Sequence, residues 1–264
     1  LEAGRHYLRK QRRSTGVSDA ELIKIAVKSM GLDELVPFDP KQKIIEYAID
    51  DRVDRLIDMT IKDFAEETAS ESVAPGGGSV AATVGALGAA LATMVANLSS
   101  HKRGWDSRWE EFSYWAEQGT AHQDELLALV DRDTDAFNGI MAAFWLPRGT
   151  DEEKTARNAA IQAATVQAIE VPFRVMEVSL ASMDVVAAMA ETGNPASVSD
   201  AGVGALCARS AVMGAYLNVQ INVNDLEDKQ AAADYLERGA AIQQQAIERE
   251  TAILAVVSAK MAEG

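Results

Sequence analysis

Apolar residues recur three and four positions apart along most of the chain, the spacing of one face of an α-helix. Val53, Leu56, Ile57, Phe64 and Ala65 form a first stripe in a region that reads as helix from Asp51 onward. The run Ala74-Pro75-Gly76-Gly77-Gly78 interrupts it, and Ser79 then opens residues 80–100, which carry no charge. A third pattern runs from Ser107 towards Phe144, broken or bent near Gly119. After a turn at Pro147-Arg148-Gly149, Thr150 and Glu153 make a capping box for a helix that Pro172 should bend and Gly193-Asn194-Pro195 should end. Ser197 and Asp200 make a second box, opening a helix to about Val223, and a last helix spans about 226–262. The pattern predicts an all-α fold, a bundle of five to six long helices with short connections.

The first fifty residues differ. They read as a basic helix over 2–13, a turn at Thr15-Gly16, and a helix that Ser18 and Glu21 cap and Gly31 ends. Pro37-Phe38-Asp39-Pro40 should not be helical, and Lys43-Ile44-Ile45-Glu46-Tyr47 alternates like a short strand. This is a short α/β tail, too small for a core of its own, and it reads as the end of an upstream domain. Charge marks the same division. Residues 1–50 hold 9 basic and 8 acidic side chains, whereas residues 51–264 hold 16 and 32. The chain starts Leu1-Glu2-Ala3-Gly4, which reads as a segment of a longer protein.

A net charge of −15 argues against a nucleic-acid surface. The uncharged stretch has the length of a membrane span, but its Gly and Ala content favours a buried central helix over membrane insertion. One cysteine, Cys207, excludes an internal disulfide, suits a reducing cytoplasm and reads as inert packing; His6, His101 and His122 lack metal-ligand spacing, so no metal is expected.

Three groups of residues are candidates for chemistry. Gly76-Gly77-Gly78-Ser79 precedes a helix, where bare backbone N–H groups and the helix dipole favour an anion or a polar ring edge; a serine-capped turn is the plainer explanation. In Asp131-Arg132-Asp133-Thr134-Asp135, Asp131 and Asp135 share a polar face with Asp124, Ala128 and Asn138. Asp133 instead falls in the apolar stripe with Leu126, Leu129, Val130, Ala136, Phe137 and Ile140. An inward carboxyl must be paired, protonated or used, and burial raises its pKa towards values that suit a general acid/base. A structural pair with Lys102 or Arg209 is the rival explanation. Asn218 and Asn222 lie on the face of Cys207, Ala211, Gly214 and Ala215, where helix-to-helix hydrogen bonding is the simpler role. Asn194, Ser199 and Asp200 cluster before that helix, where capping explains them. His101-Lys102-Arg103 closes the uncharged helix, where positive charge is stabilising by itself.

These pieces, in this order, resemble the formimidoyltetrahydrofolate cyclodeaminase/cyclohydrolase family. The similarity is carried by residues 74–82, 129–137, 193–200 and 214–222. Residues 31–38 and 43–47 are similar to the end of a glutamate formimidoyltransferase domain. The resemblance implies a division into residues 1–50, a transferase remnant, and 51–264, a cyclodeaminase domain. It implies ring closure of 5-formimidoyltetrahydrofolate to 5,10-methenyltetrahydrofolate with loss of ammonia, and no separate cofactor. The family's acid/base aspartate falls on Asp133. By the same resemblance Gly76, Gly77, Gly78 and Ser79 would hold the pteridine or the folate tail, and Lys102 would meet the glutamates of a polyglutamated substrate. Asn194, Ser199, Asp200, Asn218 and Asn222 would line the pocket. A homodimer or larger homo-oligomer is implied. Transferase activity is not expected, because that family's catalytic histidine would precede Leu1. A cyclohydrolase of the same family and a non-catalytic helical scaffold are the alternatives; a scaffold has no need of an inward Asp133.

Overall fold

The computed structural model describes residues 1–49 and 55–263. The division at residues 50 and 51, the predicted helix start and Val53 lie outside them. Ten α-helices and no strand occur among the described residues. Five are long: α6 (Gly77–Ser100), α7 (Trp109–Phe144), α8 (Asp151–Thr192), α9 (Val198–Asn222) and α10 (Lys229–Glu263). They are preceded by α1 (Glu2–Lys10), α2 (Asp19–Ser29), α3 (Pro40–Lys43), α4 (Ile45–Ala48) and α5 (Ile61–Thr68).

The expected strand at 43–47 is two helical turns instead, and the α/β character of the tail is not observed. No neighbouring strand is present among the described residues to take the backbone groups of a lone strand. Local bonds satisfy them: Ile44 N–H donates to Pro40 O (3.0 Å) and Ala48 N–H to Ile44 O (2.9 Å). Pro40 takes the first helical position, capped by the Asp39 carboxylate. The segment before α5 also differs from a continuous helix, with a 3-10 turn at Leu56–Asp58 and a fresh start capped by Thr60.

α6 is the centre of the bundle. It is long and apolar enough by length and composition to cross a membrane, yet most of its residues are buried against α7, α8 and α9. Its small residues allow close approach: a Cβ on Gly88 would lie 2.9 Å from Gly204 O of α9, and one on Gly85 would lie 2.7 Å from Ser179 Oγ of α8. α6 runs antiparallel to α9, with Gly77 beside Asn218 at one end and Ser99 Oγ accepting from Asn194 N–H (2.8 Å) at the other. Around it the core is filled by Phe112, Leu126 and Leu129 of α7, by Ile169, Met176, Met183 and Met189 of α8, and by Val212 and Val219 of α9.

α7 is continuous through Gly119, not broken there. That glycine is needed for contact, because a Cβ would fall inside the radius of Thr93 Oγ1 on α6. α8 likewise continues through Pro172. Proline has no N–H to offer the carbonyl four residues back, and that carbonyl, Ala168 O, accepts instead from Asn222 Nδ2 of α9 (2.7 Å). The Thr150–Glu153 capping box forms as expected. The Ser197–Asp200 box does not. Asn194 caps a 3-10 turn at Pro195–Ser197, so the chain enters α9 already wound and Ser197 has no cap to supply.

The leading segment docks at the Lys102 end of α6. Ser14 and Thr15 are buried, Thr15 N–H donates to Ser113 Oγ (3.0 Å), and Gly16 O accepts from Asn97 Nδ2 (2.8 Å). Leu22, Ile23 and Val27 of α2 are buried as well.

Replacing Gly119 with Ala is expected to destabilise the fold by about 1–3 kcal/mol in denaturant unfolding. Thr93→Ala in the same chain should recover part of that loss, since the nearest remaining side-chain atom would stand 3.3 Å from the new Cβ. Strict additivity of the two changes would contradict the contact.

Candidate active site

α6 begins with Gly76 as its N-cap, which offers no side-chain acceptor, and its first turn holds no acidic residue. The sequence places Gly77, Gly78 and Ser79 ahead of the helix with Ser79 as its cap. The structure puts all three in the first turn, because the chain is already helical at Gly77. The missing acceptor comes from α7. Ser79 Oγ donates to Asp133 Oδ2 (2.9 Å), and Ser79 N–H bonds the same carboxyl. Gly78 makes this possible, since a Cβ there would overlap Asp133 Oδ1. The inward orientation of Asp133 is thus observed, and neither Lys102 nor Arg209 is its partner. Arg209 pairs with Glu250 (3.3 Å).

Burial pushes the Asp133 carboxyl above its ordinary range, and the two bonds from Ser79 pull the other way without cancelling it. The group can therefore take up and return a proton more readily than an exposed carboxylate. The stripe around it is core only on one side. Leu126, Leu129 and Val130 are buried, but Phe137, which the sequence places in the same apolar row, is 36% exposed. α6 runs antiparallel to α7 and starts opposite Asp133, so α6 does not cover Phe137, although Ala136 still packs against the core and Ala143 is buried.

Asn218 joins this end of the bundle. A Cβ on Gly77 would lie 3.4 Å from Asn218 Nδ2, and that amide nitrogen donates back to Gly214 O (2.9 Å). Its Oδ1 faces Gly77 (3.6 Å to the same Cβ). Asn222 is a turn further along, held on α8 as described. Asp131 is not simply solvated: it accepts from Leu56 N–H (2.8 Å) and ties the preceding segment to α7, while Asp135 is exposed.

The other expected site residues lie elsewhere in the chain. Lys102, Asn194, Ser199 and Asp200 gather at the opposite end of α6 and α9, about 36 Å away along a 24-residue helix. Lys102 Nζ sits 4.1 Å over the ring of Trp105, and Trp105 stacks on Phe112. Asn194 caps its own turn, Ser199 is exposed and Asp200 is partly exposed. Spacing along the chain carries no signal of which ends of antiparallel helices meet. The Ser79–Asp133 bond was missed for that reason, its partners being 54 residues apart. Cys207 is partly buried beside Gly88, and burial pushes its thiol up. Among the described residues no group of three or more His, Cys, Asp or Glu side chains is placed to hold a metal ion.

A bundle of five long helices with a desolvated carboxyl at the glycine-rich start of its central helix defines an all-helical protein with a candidate site at one end. The chain belongs to the formiminotransferase-cyclodeaminase family, whose profile matches residues 60–241. A formiminotransferase domain profile matches residues 1–50. The formimidoyltransferase-cyclodeaminase of Rattus norvegicus is 37% identical over 230 residues, covering 86% of this chain and 42% of the rat protein. The chain thus spans about two-fifths of the length of that relative. A methenyltetrahydrofolate cyclohydrolase of Methylorubrum extorquens is 38% identical over 177 residues, covering 67% of this chain and 85% of that protein. The crystal structure of formiminotetrahydrofolate cyclodeaminase from Thermotoga maritima superposes with a TM-score of 0.64 at 26% identity, covering 76% of this chain and 98% of that one.

A carboxyl that titrates higher folded than unfolded contributes stability fully present below the ordinary carboxylate range and lost as pH rises through its folded value. Asp133→Asn keeps the shape and an acceptor for Ser79. It is expected to raise Tm at pH 7, because the variant has no charge to bury. The gain should shrink as pH falls and vanish below about pH 3, under the ordinary aspartate value, where both states hold the proton. A variant no more stable than wild type at pH 7 would contradict the cost of ionising Asp133.

Proposed function

We propose that this chain is a formimidoyltetrahydrofolate cyclodeaminase, converting 5-formimidoyltetrahydrofolate to 5,10-methenyltetrahydrofolate and ammonia. The observation that carries the reading is the Asp133 carboxyl, desolvated yet oriented by Ser79 at the start of α6. Family membership and the near-complete coverage of the T. maritima cyclodeaminase support it. Residues 1–50 are then the end of a transferase unit and residues 51–264 the deaminase.

In the reaction N10 attacks the amidine carbon carried on N5. Asp133 accepts the N10 proton and returns it to the departing NH2 group, which leaves as ammonia. The new carbon–nitrogen bond to N10 remains and the positive charge passes to the methenyl bridge, so protons and charge balance. The substrate brings the one-carbon unit itself, and no cofactor is called for. Gly76, Gly77 and Gly78 expose backbone to the polar edge of the pteridine, with Asn218 beside them. Asn222 holds α9 in place for this. Holding N10 against the amidine carbon is an orientation effect worth several kcal/mol. We place the reaction in the cytoplasm.

Lys102 reaches this site only from another copy. The α6–α9 face exposes Leu87, Met94, Leu98, Val203, Leu206 and Leu217. A two-fold axis across the middle of α6 would bury this face and set the partner's Lys102 near Asp133, where it would meet the polyglutamate tail. Mixing and reassociating Lys102→Ala with Asp133→Asn chains should then restore roughly a quarter of wild-type sites on polyglutamated substrate. No restoration in mixed dimers would remove Lys102 from the site.

The cyclohydrolase relative favours a second reading, in which the same carboxyl directs water onto the methenyl carbon. Purified protein with 5-formimidoyltetrahydrofolate should release methenyltetrahydrofolate and ammonia in equal amounts, and Asp133→Asn should lower the rate by about 10²–10⁴-fold. A folded wild type that forms neither product but hydrolyses 5,10-methenyltetrahydrofolate would establish the second reading instead.

A further inference from the structure

Exposed apolar residues begin one turn beyond Asp133; Phe144 among them carries the Arg157 guanidinium over its ring (5.4 Å), while Phe137 and Met141 lie nearer the carboxyl. Phe137 is 36% exposed, Met141 42%, Phe144 49% and Trp145 83%, all in the last turns of α7 and just after it. A cluster of this kind on a surface calls for an occupant. Its register gives the occupant a location. Phe137 and Met141 stand four and eight residues after Asp133, on its side of the helix, so they continue the face that carries the carboxyl. Phe137 lies about one turn and Met141 about two turns further along α7, at about 5.4 Å per turn. The α6 N-terminus meets Asp133 through Gly78 and Asn218 through Gly77.

The proposed chemistry states what must lie next to Asp133. The carboxyl takes the proton of N10, and in folates N10 is bonded directly to an aromatic ring, the p-aminobenzoyl group. When N10 is within hydrogen-bond reach of Asp133, that ring begins one bond further on. The pteridine carries donors and acceptors around its edge, and these suit the bare backbone of Gly76–Gly78 and the Asn218 amide. The benzoyl ring has none on its faces, and an exposed aromatic side chain one turn away is its complement. We propose that Phe137 is the specificity residue that stacks on the p-aminobenzoyl ring of the substrate, with the Met141 thioether at the ring's edge. This assigns the direction of the bound folate: pteridine over the glycine turn, benzoylglutamate running outward along the end of α7. The inference rests on the folate reading above.

The test uses Phe137→Ala, Phe137→Trp and wild type. The assays are turnover of 5-formimidoyltetrahydrofolate and inhibition by two fragments, p-aminobenzoylglutamate and tetrahydropterin. The expected result is a KM raised about fivefold or more in Phe137→Ala and largely restored in Phe137→Trp, the size of one lost aromatic contact. The inhibition constant of p-aminobenzoylglutamate should rise in parallel, that of tetrahydropterin should not move, and Tm should stay within about 2 °C, as for a surface position. A wild type inactive on the substrate would remove the cyclodeaminase reading. An active wild type with an unchanged Phe137→Ala would remove only Phe137. A change in tetrahydropterin inhibition alone would reverse the direction of the bound folate and overturn the proposal. So would a Phe137→Ala whose loss tracks dissociation of the oligomer in sedimentation, since the residue would then be a contact between copies.

Discussion

The close approach of α6 to three neighbouring helices is the constraint on which the rest of the molecule depends. A helix surrounded in this way can carry no charge, and wherever backbones meet it can carry no bulk. Gly88 against the Gly204 carbonyl and Thr93 against Gly119 are two of these meetings. They fix the axial position of α6 against α7 and α9. Once that position is set, the first turn of α6 must lie beside Asp133 and its last turn beside Asn194. The site is a consequence of where the central helix ends.

At that end the ordinary need of a helix start has been met in a way that also equips the site. The first turn of α6 has N–H groups to satisfy and no acidic side chain of its own. Asp133 supplies the acceptor from another helix, and Gly78 leaves room for it. The same contact takes the carboxyl out of water, which is why it holds its proton more tightly than usual. A similar exchange secures the far side. Pro172 leaves the Ala168 carbonyl without its helical donor, and Asn222 supplies one from α9. Two backbone defects, a bare helix start and a proline within a helix, are each closed by a polar side chain from a neighbouring helix, and both lie around the same end of the bundle.

Much of the fold was legible in the sequence because its cause is local. The helices of residues 61–263 follow from apolar spacing, and the Thr150 cap follows from a motif read within four residues. The inward turn of Asp133 was legible for the same reason: helical register alone separates it from Asp131 and Asp135. Where the outcome hung on a distant partner, sequence reading failed. Residues 43–47 look like a strand, but a strand needs another beside it. Ser79 looks like a cap, but its hydroxyl is taken by a carboxyl 54 residues on. Gly119 looks like a break, but it is the room that Thr93 needs.

The sequence by itself determined the class of fold, the uncharged centre, the candidate carboxyl and the family resemblance, because each is written in spacing within a few turns. Only the tertiary structure decided which candidates stand together within one chain. Lys102, Asn194, Ser199 and Asp200 stand at one end of the bundle, and Gly76–Ser79, Asp133, Asn218 and Asn222 at the other. It also decided that Phe137, in the same apolar row of α7 as the buried Leu126, Leu129 and Val130, stands exposed. The reason is that helical period tells a residue which way to face, whereas what it faces depends on how long the neighbouring helix is and where along it the backbones come closest.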